Sequence, residues 1–375
     1  MKEQISGSQY TILVMNFFSA IMIAFGIQPF VVNAGNAYWY IPFLLWPVGW
    51  LMVLLLFRRL HHRKEFIPFS QEHVPGGAEK GVAILFLIFF LIIFAKDLQT
   101  FSFFINIALL PKTPTAVILV LATLSIIYLA HGGLEVVARF TDLFFPIVFL
   151  ILIFSPLFTW NQIDPANLLP LLRQEQVPGL LKGTFLALSS FSEWLIALLL
   201  IPYVDKRASI RRLTLFSLGL GLFFVLIIFL TNLLTLGVPI LRDVLYSTYL
   251  MVRQIHLTDF LDRMDLFMVA VWMPTYFAKL ALNVWALSRL CSLILGINRQ
   301  VVTGPMAFLG SLLALLLFPD TIRLYQFSTI TWSTLGLVLE LLIFLFYLGM
   351  IHRSSGKNSH EERGGDEEHE QFVRT

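Results

Sequence analysis

The sequence predicts an all-α polytopic membrane protein with about ten transmembrane helices. Three observations carry that prediction. The chain of 375 residues is 58% apolar and only 13% charged, with a mean hydropathy of +0.81. A soluble domain carries about 25% charged residues, so soluble and disordered classes are excluded. Apolar runs of the length needed to cross a hydrocarbon core of about 30 Å recur along the chain. Lys and Arg are unevenly shared between the segments that join those runs.

From Gln4 to Phe57 there is no Asp, Glu, Lys or Arg. Asn33, Gly35 and Asn36 divide this stretch into crossings at 9–32 and 38–57. Pro68, Pro75, Gly76 and Gly77 mark the polar segment Arg58 to Lys80 as a loop. The third crossing, 81–106, carries Lys96 and Asp97 and ends before Pro111 and Pro114. The fourth spans 115–131. Gly132 and Gly133 separate it from the fifth, 141–160. In the polar, Pro-rich segment that follows, the short apolar piece Leu168–Leu172 suits the membrane surface. Crossings at 180–204 and 213–236 follow. Val238 to Arg263 is mixed in charge with some helix, and the last three crossings lie at 264–290, 301–318 and 328–351. Residues 1–351 thus form the membrane domain. Residues 352–375 form a hydrophilic tail whose acidic run, Glu361 to Glu368, reads as disordered.

The amino-terminal run is too long for a signal peptide and lacks a basic leader and an A-x-A site, so it is expected to be retained. With the amino terminus in the cytoplasm, 17 Lys and Arg fall on inside segments and seven on outside segments. Ten crossings with both termini cytoplasmic satisfy the positive-inside rule.

The single cysteine, Cys291, excludes an internal disulfide. A net charge of +3 points neither to nucleic acid nor to an acidic partner. The eight histidines show no metal-ligand spacing. No Walker loop, G-x-G-x-x-G, H-E-x-x-H or G-x-S-x-G is present, so neither catalysis nor a cofactor is expected.

Polar residues inside the crossings are the candidate site. In the first crossing, Gly26, Ile27, Gln28 and Pro29 combine a flexible backbone with a missing donor, which predicts either local unwinding or a simple proline kink. In the sixth, Ser189, Ser190, Phe191 and Ser192 lead to Glu193. A charge at that depth costs at least about 3 kcal/mol, so Glu193 faces a cavity, a cation or a proton. With no Gly or Pro beside it, a break there is less expected than in the first. In the eighth, Trp272, Thr275 and Tyr276 precede Lys279, with Pro274 between them. Lys279 pairs with Glu193, Asp97 or Glu340, or stands in the place of a coupling cation. Asp97, Thr100 and Phe101 supply the third crossing's share. Lys96 and Asp97, as sequence neighbours, face different ways and are not expected to pair. Lys96 is expected to snorkel outward, and Glu340 to be isolated and structural. Interruptions in crossings one and six, five helices apart, are the signature of a five-plus-five inverted repeat with a ligand site between the broken helices.

Several segments resemble the B subunits of spore germinant receptors. Leu110-Pro111-Lys112-Thr113-Pro114 is similar to their L-P-x-T-P turn, and Gly132-Gly133-Leu134-Glu135-Val136-Val137-Ala138-Arg139 to their G-x-E-x-x-A-R segment. Asn167-Leu168-Leu169-Pro170-Leu171-Leu172, Phe191-Ser192-Glu193 and Phe260-Leu261-Asp262-Arg263-Met264-Asp265 resemble three more, with Asp262 where Glu is usual. Gly26, Pro29 and Trp39 fall on the G…P…W start, and Ile5-Ser6 with Gln9 resembles the usual opening. The matches run from about residue 5 to 350, and the acidic tail departs from the pattern. The resemblance implies a LeuT-like fold of the amino acid–polyamine–organocation transporter superfamily and a home in the inner membrane of a dormant spore. It implies an A subunit and a lipoprotein C subunit as partners. The implied role is binding a small nutrient germinant, often an amino acid, and triggering germination by ion release. An amino-acid/proton secondary transporter using Glu193 or Lys279, and a ligand-free structural subunit, are the competing readings.

Overall fold

The computed structural model describes residues 3–24, 26–60, 69, 76–205, 209–254 and 264–350. The Phe260–Arg263 part of the last motif and the tail 352–375 lie outside the described residues. Everything regular among the described residues is helical: α1 (Gly7–Ala24), α2 (Ile27–Ala34), α3 (Ile41–Leu60), α4 (Gly77–Phe104), α5 (Thr115–His131), α6 (Leu134–Phe158), α7 (Val177–Phe191), α8 (Ile196–Leu200), α9 (Ile210–Asp243), α10 (Ser247–Arg253), α11 (Met264–Leu295), α12 (Arg299–Leu317), α13 (Thr321–Gln326) and α14 (332–350). Among the described residues, nine helical runs are long and apolar enough to cross a bilayer. One of these nine is α1 alone, and the run Ile27–Arg58 counts as another. The fourth expected crossing, α5, is an apolar helix of 17 residues; at 1.5 Å per residue it is about 25 Å long, at the short end of what a span needs.

Helix ends follow from local chemistry. Asp164, Asn298 and Asp320 each accept a backbone N–H from the first turn of the helix they precede. The fifth crossing starts earlier than expected, at Leu134, because Gly133 (φ 95°) turns the chain directly into the helix. Arg139 and Asp142 therefore lie within α6. The seventh continues past 236 to Asp243 through a kink at Gly237 (φ 68°, ψ 165°), two residues before Pro239. That kink frees the carbonyl of Leu234, which accepts from Asp164 N (2.9 Å) and Asn167 Nδ2 (3.2 Å) of the loop between α6 and α7. The same loop is pinned by Asn36, whose Nδ2 donates to the Pro170 carbonyl at 2.6 Å. Leu169, Leu171 and Leu172 stay about half exposed or more (67%, 53% and 46%), as an apolar piece at the membrane surface would.

The lipid-facing surface reads out as helical stripes. Leu121 and Leu124 on α5, Leu143, Leu150 and Leu157 on α6, Leu312 and Leu316 on α12, and Leu341 and Leu345 on α14 are all exposed and spaced by three, four or seven residues. Buried inside lies α1, packed on α6, α9, α11, α7 and α8. Small residues let these helices close up: a Cβ at Gly221 of α9 would overlap the Phe18 ring, and one at Gly49 of α3 would overlap Phe191. The two rings meet edge to face at 5.4 Å and so join α1 to the end of α7.

The amino-terminal strap closes one end of the bundle. Ile5 N donates to Tyr203 O (2.8 Å) and Asp205 N donates to Ile5 O (3.1 Å). The Glu3 carboxylate accepts from Leu134 N (3.2 Å), Trp285 Nε1 (3.2 Å) and Arg299 Nη2 (3.3 Å). Residues 3–5 thereby tie α6, the end of the α8 region, α11 and α12 to one another.

Candidate functional site

Both expected interruptions are present. The first crossing breaks between α1 and α2, at Gly26. Gly26 has ordinary right-handed angles (φ −92°, ψ −6°), so its glycine character is not demanded by φ. Space demands it: a Cβ there would sit 3.0 Å from Met22 Cα and 3.2 Å from Met22 O. Pro29 falls in the first turn of α2, where backbone N–H groups have no intrahelical acceptor, so its missing donor costs nothing. It opens a new helix rather than weakening an old one.

The sixth crossing is interrupted as well, by a 3-10 turn over Ser192–Leu195 between α7 and α8. No Gly or Pro was needed. Ser192 Oγ donates to Ser189 O at 2.6 Å, and such back-bonding competes with the α-helical ladder. The three serines were the available signal. This tighter turn carries Glu193 into the protein centre, fully buried.

Four charges meet there. Glu193 Oε2 lies 2.7 Å from Lys279 Nζ, and Glu193 Oε1 lies 3.3 Å from Lys96 Nζ. Asp97 Oδ2 lies 2.7 Å from Lys279 Nζ, and Asp97 Oδ1 lies 3.1 Å from Lys96 Nζ. The expectation that Lys96 and Asp97 cannot pair is therefore wrong. Their Cβ atoms do diverge, but four methylenes let the lysine curl back to a carboxylate already drawn inward by Lys279. Nor does Lys96 snorkel: its side chain is 3% exposed. Two carboxylates inside the bundle hold the ammonium more strongly than the distant interface attracts it. Two ammonium groups and two carboxylates sum to zero, which is what makes burial of all four tolerable. Aromatic faces complete the enclosure, with Phe17 and Tyr276 at 5.5 and 5.8 Å from Lys279 Nζ and Trp332 at 5.8 Å from Lys96 Nζ.

Beside Lys96 lies a cavity of about 90 Å³. One water needs roughly 10–15 Å³ on this measure, so several waters or one small solute fit. Gly26 and Pro29 line it from the first crossing, Lys96 and Thr100 from α4, and Ser190 from α7. Tyr246, between α9 and α10, and Thr321, Tyr325, Ser328, Thr329 and Trp332 of the last crossing complete the wall. That last contribution was not expected; the hydroxyl residues Ser328 and Thr329 in an apolar helix were the signal. They lie in a π-helical turn, Phe327–Thr331, that widens the helix beside the cavity.

The expected site residues separate into groups. Gly26, Pro29, Thr100 and Ser190 line the cavity; of the quartet Lys96 alone reaches it, and Asp97, Glu193 and Lys279 form a charged floor behind Lys96. Tyr276 OH donates to the Asp97 carbonyl at 3.3 Å and stacks on Phe101 at 5.7 Å, so both pack beside that floor. Trp272 and Thr275 line a separate small cavity of about 30 Å³ between α1, α6, α9 and α11. Ile27, Ser189, Phe191 and Ser192 are buried in packing, and Gln28 Nε2 donates to Arg242 O at 2.8 Å, at the end of α9.

A family model described as "Spore germination protein" matches residues 4–322. The chain belongs to this spore germination family. YfkT of Bacillus subtilis (strain 168) is 29% identical over 322 residues, covering 84% of this chain and 86% of its own length. The spore germination proteins YndE and KB of the same organism are 22% identical over 284 residues and 23% over 208, covering 71% and 54% of this chain and 76% and 56% of their own lengths. A multi-pass membrane protein of a germination family is thus what the helices and the relatives jointly establish.

Proposed function

We propose that this chain is the B-type subunit of a germinant receptor, binding a small nutrient in the cavity between its interrupted helices. The observation that carries this reading is the position of Lys96. Lys96 lines the cavity, and its ammonium belongs to the buried quartet. A carboxylate entering the cavity meets a cation already desolvated, beside hydroxyls and the Trp332 face. The amino-acid class comes from the family resemblance, and the small volume favours a short side chain. Engagement of Lys96 from the cavity loosens its contact with Glu193. The 3-10 turn that carries Glu193 is then free to shift, which biases the bundle toward a second arrangement. Partner A and C subunits would read that shift, in the inner membrane of the spore, with both termini of this chain in the cytoplasm.

The test is thermal unfolding of the purified protein against a panel of amino acids, sugars and nucleosides. A bound nutrient at 100 times its Kd stabilises by about 2.7 kcal/mol, an upward shift that Lys96→Met should abolish for carboxylate-bearing compounds. A panel without any shift sinks the reading. The transporter alternative is separated by uptake: accumulation of labelled amino acid in liposomes holding this chain alone would favour it.

A further inference from the structure

The quartet accounts for two of the carboxylates buried in the spans and leaves Glu340 unexplained. Glu340 lies in α14, 4% exposed, within the apolar run Thr321–Met350. Its polar neighbour is the Trp194 indole, which lies beside the carboxyl without a well-aligned hydrogen bond. Among the described residues, no Lys, Arg or His pairs with it. Glu193, one residue before Trp194, is taken up by the two lysines. An ionised carboxyl with no cation at that depth is penalised by several kcal/mol, and protonation removes the penalty.

We propose that Glu340 is a proton site of this chain: a carboxyl carried neutral at rest, able to exchange its proton with water, and distinct from the charge-matched quartet. The Ser192–Leu195 turn links the two. Glu193 and Trp194 are consecutive on it, one directed into the quartet and the other lying beside Glu340. A movement of the turn that begins at Lys96 or Glu193 therefore changes the cover over Glu340 and its contact with water. The charge change in this membrane domain then falls on Glu340, whose ionisation is balanced by no neighbour, rather than on Glu193, whose charge is already matched.

The inference goes beyond the nutrient reading and does not depend on it, because its test uses the protein without ligand. Infrared spectra of the purified full-length protein in lipid are compared for the parent and Glu340→Gln, which keeps the shape of the neutral acid. The parent should show the carbonyl stretch of a protonated buried carboxyl, and Glu340→Gln should lack it. Transfer to D2O should shift that band before the slowest core amides exchange. In the charge-balanced double variant Lys96→Gln/Glu193→Gln the shift should come several-fold faster. A parent without the band, a band retained in Glu340→Gln, or a band that shifts no earlier than the core amides overturns the proposal. The parent measurements need no variant to fold.

Discussion

At the residue scale, the buried quartet behaves as one electrostatic unit. Glu193→Gln leaves Lys96 and Lys279 facing Asp97 alone, with one positive charge unmatched in a site that is 0–3% exposed. Breaking a buried pair by removing one partner costs about 3–5 kcal/mol. Denaturant unfolding of the purified variant should show a loss of that order, and adding Lys96→Gln should recover most of it by restoring neutrality. A single variant as stable as the parent would mean that Glu193 is not ionised in the folded protein. Gly26 calls for a different prediction. A Cβ at 3.0 Å from Met22 Cα must push the backbone as well as fill the cavity. Gly26→Ala should raise the nutrient concentration needed for half-maximal germination and lower protein level modestly, by a cost of about 1 kcal/mol. Gly26→Val should lose both level and response. Quantitative immunoblots beside dose–response curves measure the two effects separately. The sequence made Glu193 and Lys279 legible because charge at that depth demands a partner. Lys96 was misread because neighbour geometry was taken from the backbone, whereas the reach of the side chain decided the contact.

At the scale of elements, interruptions matter more than helices. The kink of α9 at Gly237 depends on a positive φ, and a Cβ there would come 2.8 Å from Asn167 Oδ1. Gly237→Ala should destabilise the protein by about 1–3 kcal/mol, with amide exchange quickened in the α6–α7 loop at Asp164, whose N–H is tied to Leu234 O. Unaltered exchange at Asp164 would show that the loop holds itself without the kink. The break at Gly26 was announced by Gly and Pro, and the break at Ser192–Leu195 was less expected because neither stands beside it, although both occupy corresponding places. Proline and glycine announce a break through the backbone itself. Serine announces one only when its hydroxyl finds a carbonyl three residues back, and that depends on the surrounding pack.

For the whole molecule, the described helices match the ten expected runs, and the orientation can be tested directly. In a background with Cys291→Ser, a cysteine at Lys80 should be reached by a membrane-impermeant thiol reagent only after the membrane is opened. A cysteine at Lys112 should be labelled from outside in intact cells. Lys80, in the first turn of α4, and Lys112, beyond its other end, are both exposed, so the pair tests one crossing and the sign of the whole topology. Labelling at Lys80 from outside would invert the arrangement. The amino-terminal strap belongs to this scale also. Glu3 draws α6, α11 and α12 together through three hydrogen bonds, so residues 3–5 close the bundle.

By itself the sequence determined the class, the number of helical runs, most of their limits, the family resemblance and the depth of Glu193 and Lys279. These depend on hydrophobicity, charge and Gly/Pro placement, which act within one helix and its solvent, the lipid. Only the tertiary structure decided that Lys96 turns inward, that two lysines and two acids balance in one site, and that the last crossing rather than the eighth walls the cavity. Those outcomes depend on which faces of separate helices meet and on where a long side chain finds opposite charge. No local pattern encodes that, because Glu193 lies 86 residues from Lys279 and 97 from Lys96 along the chain.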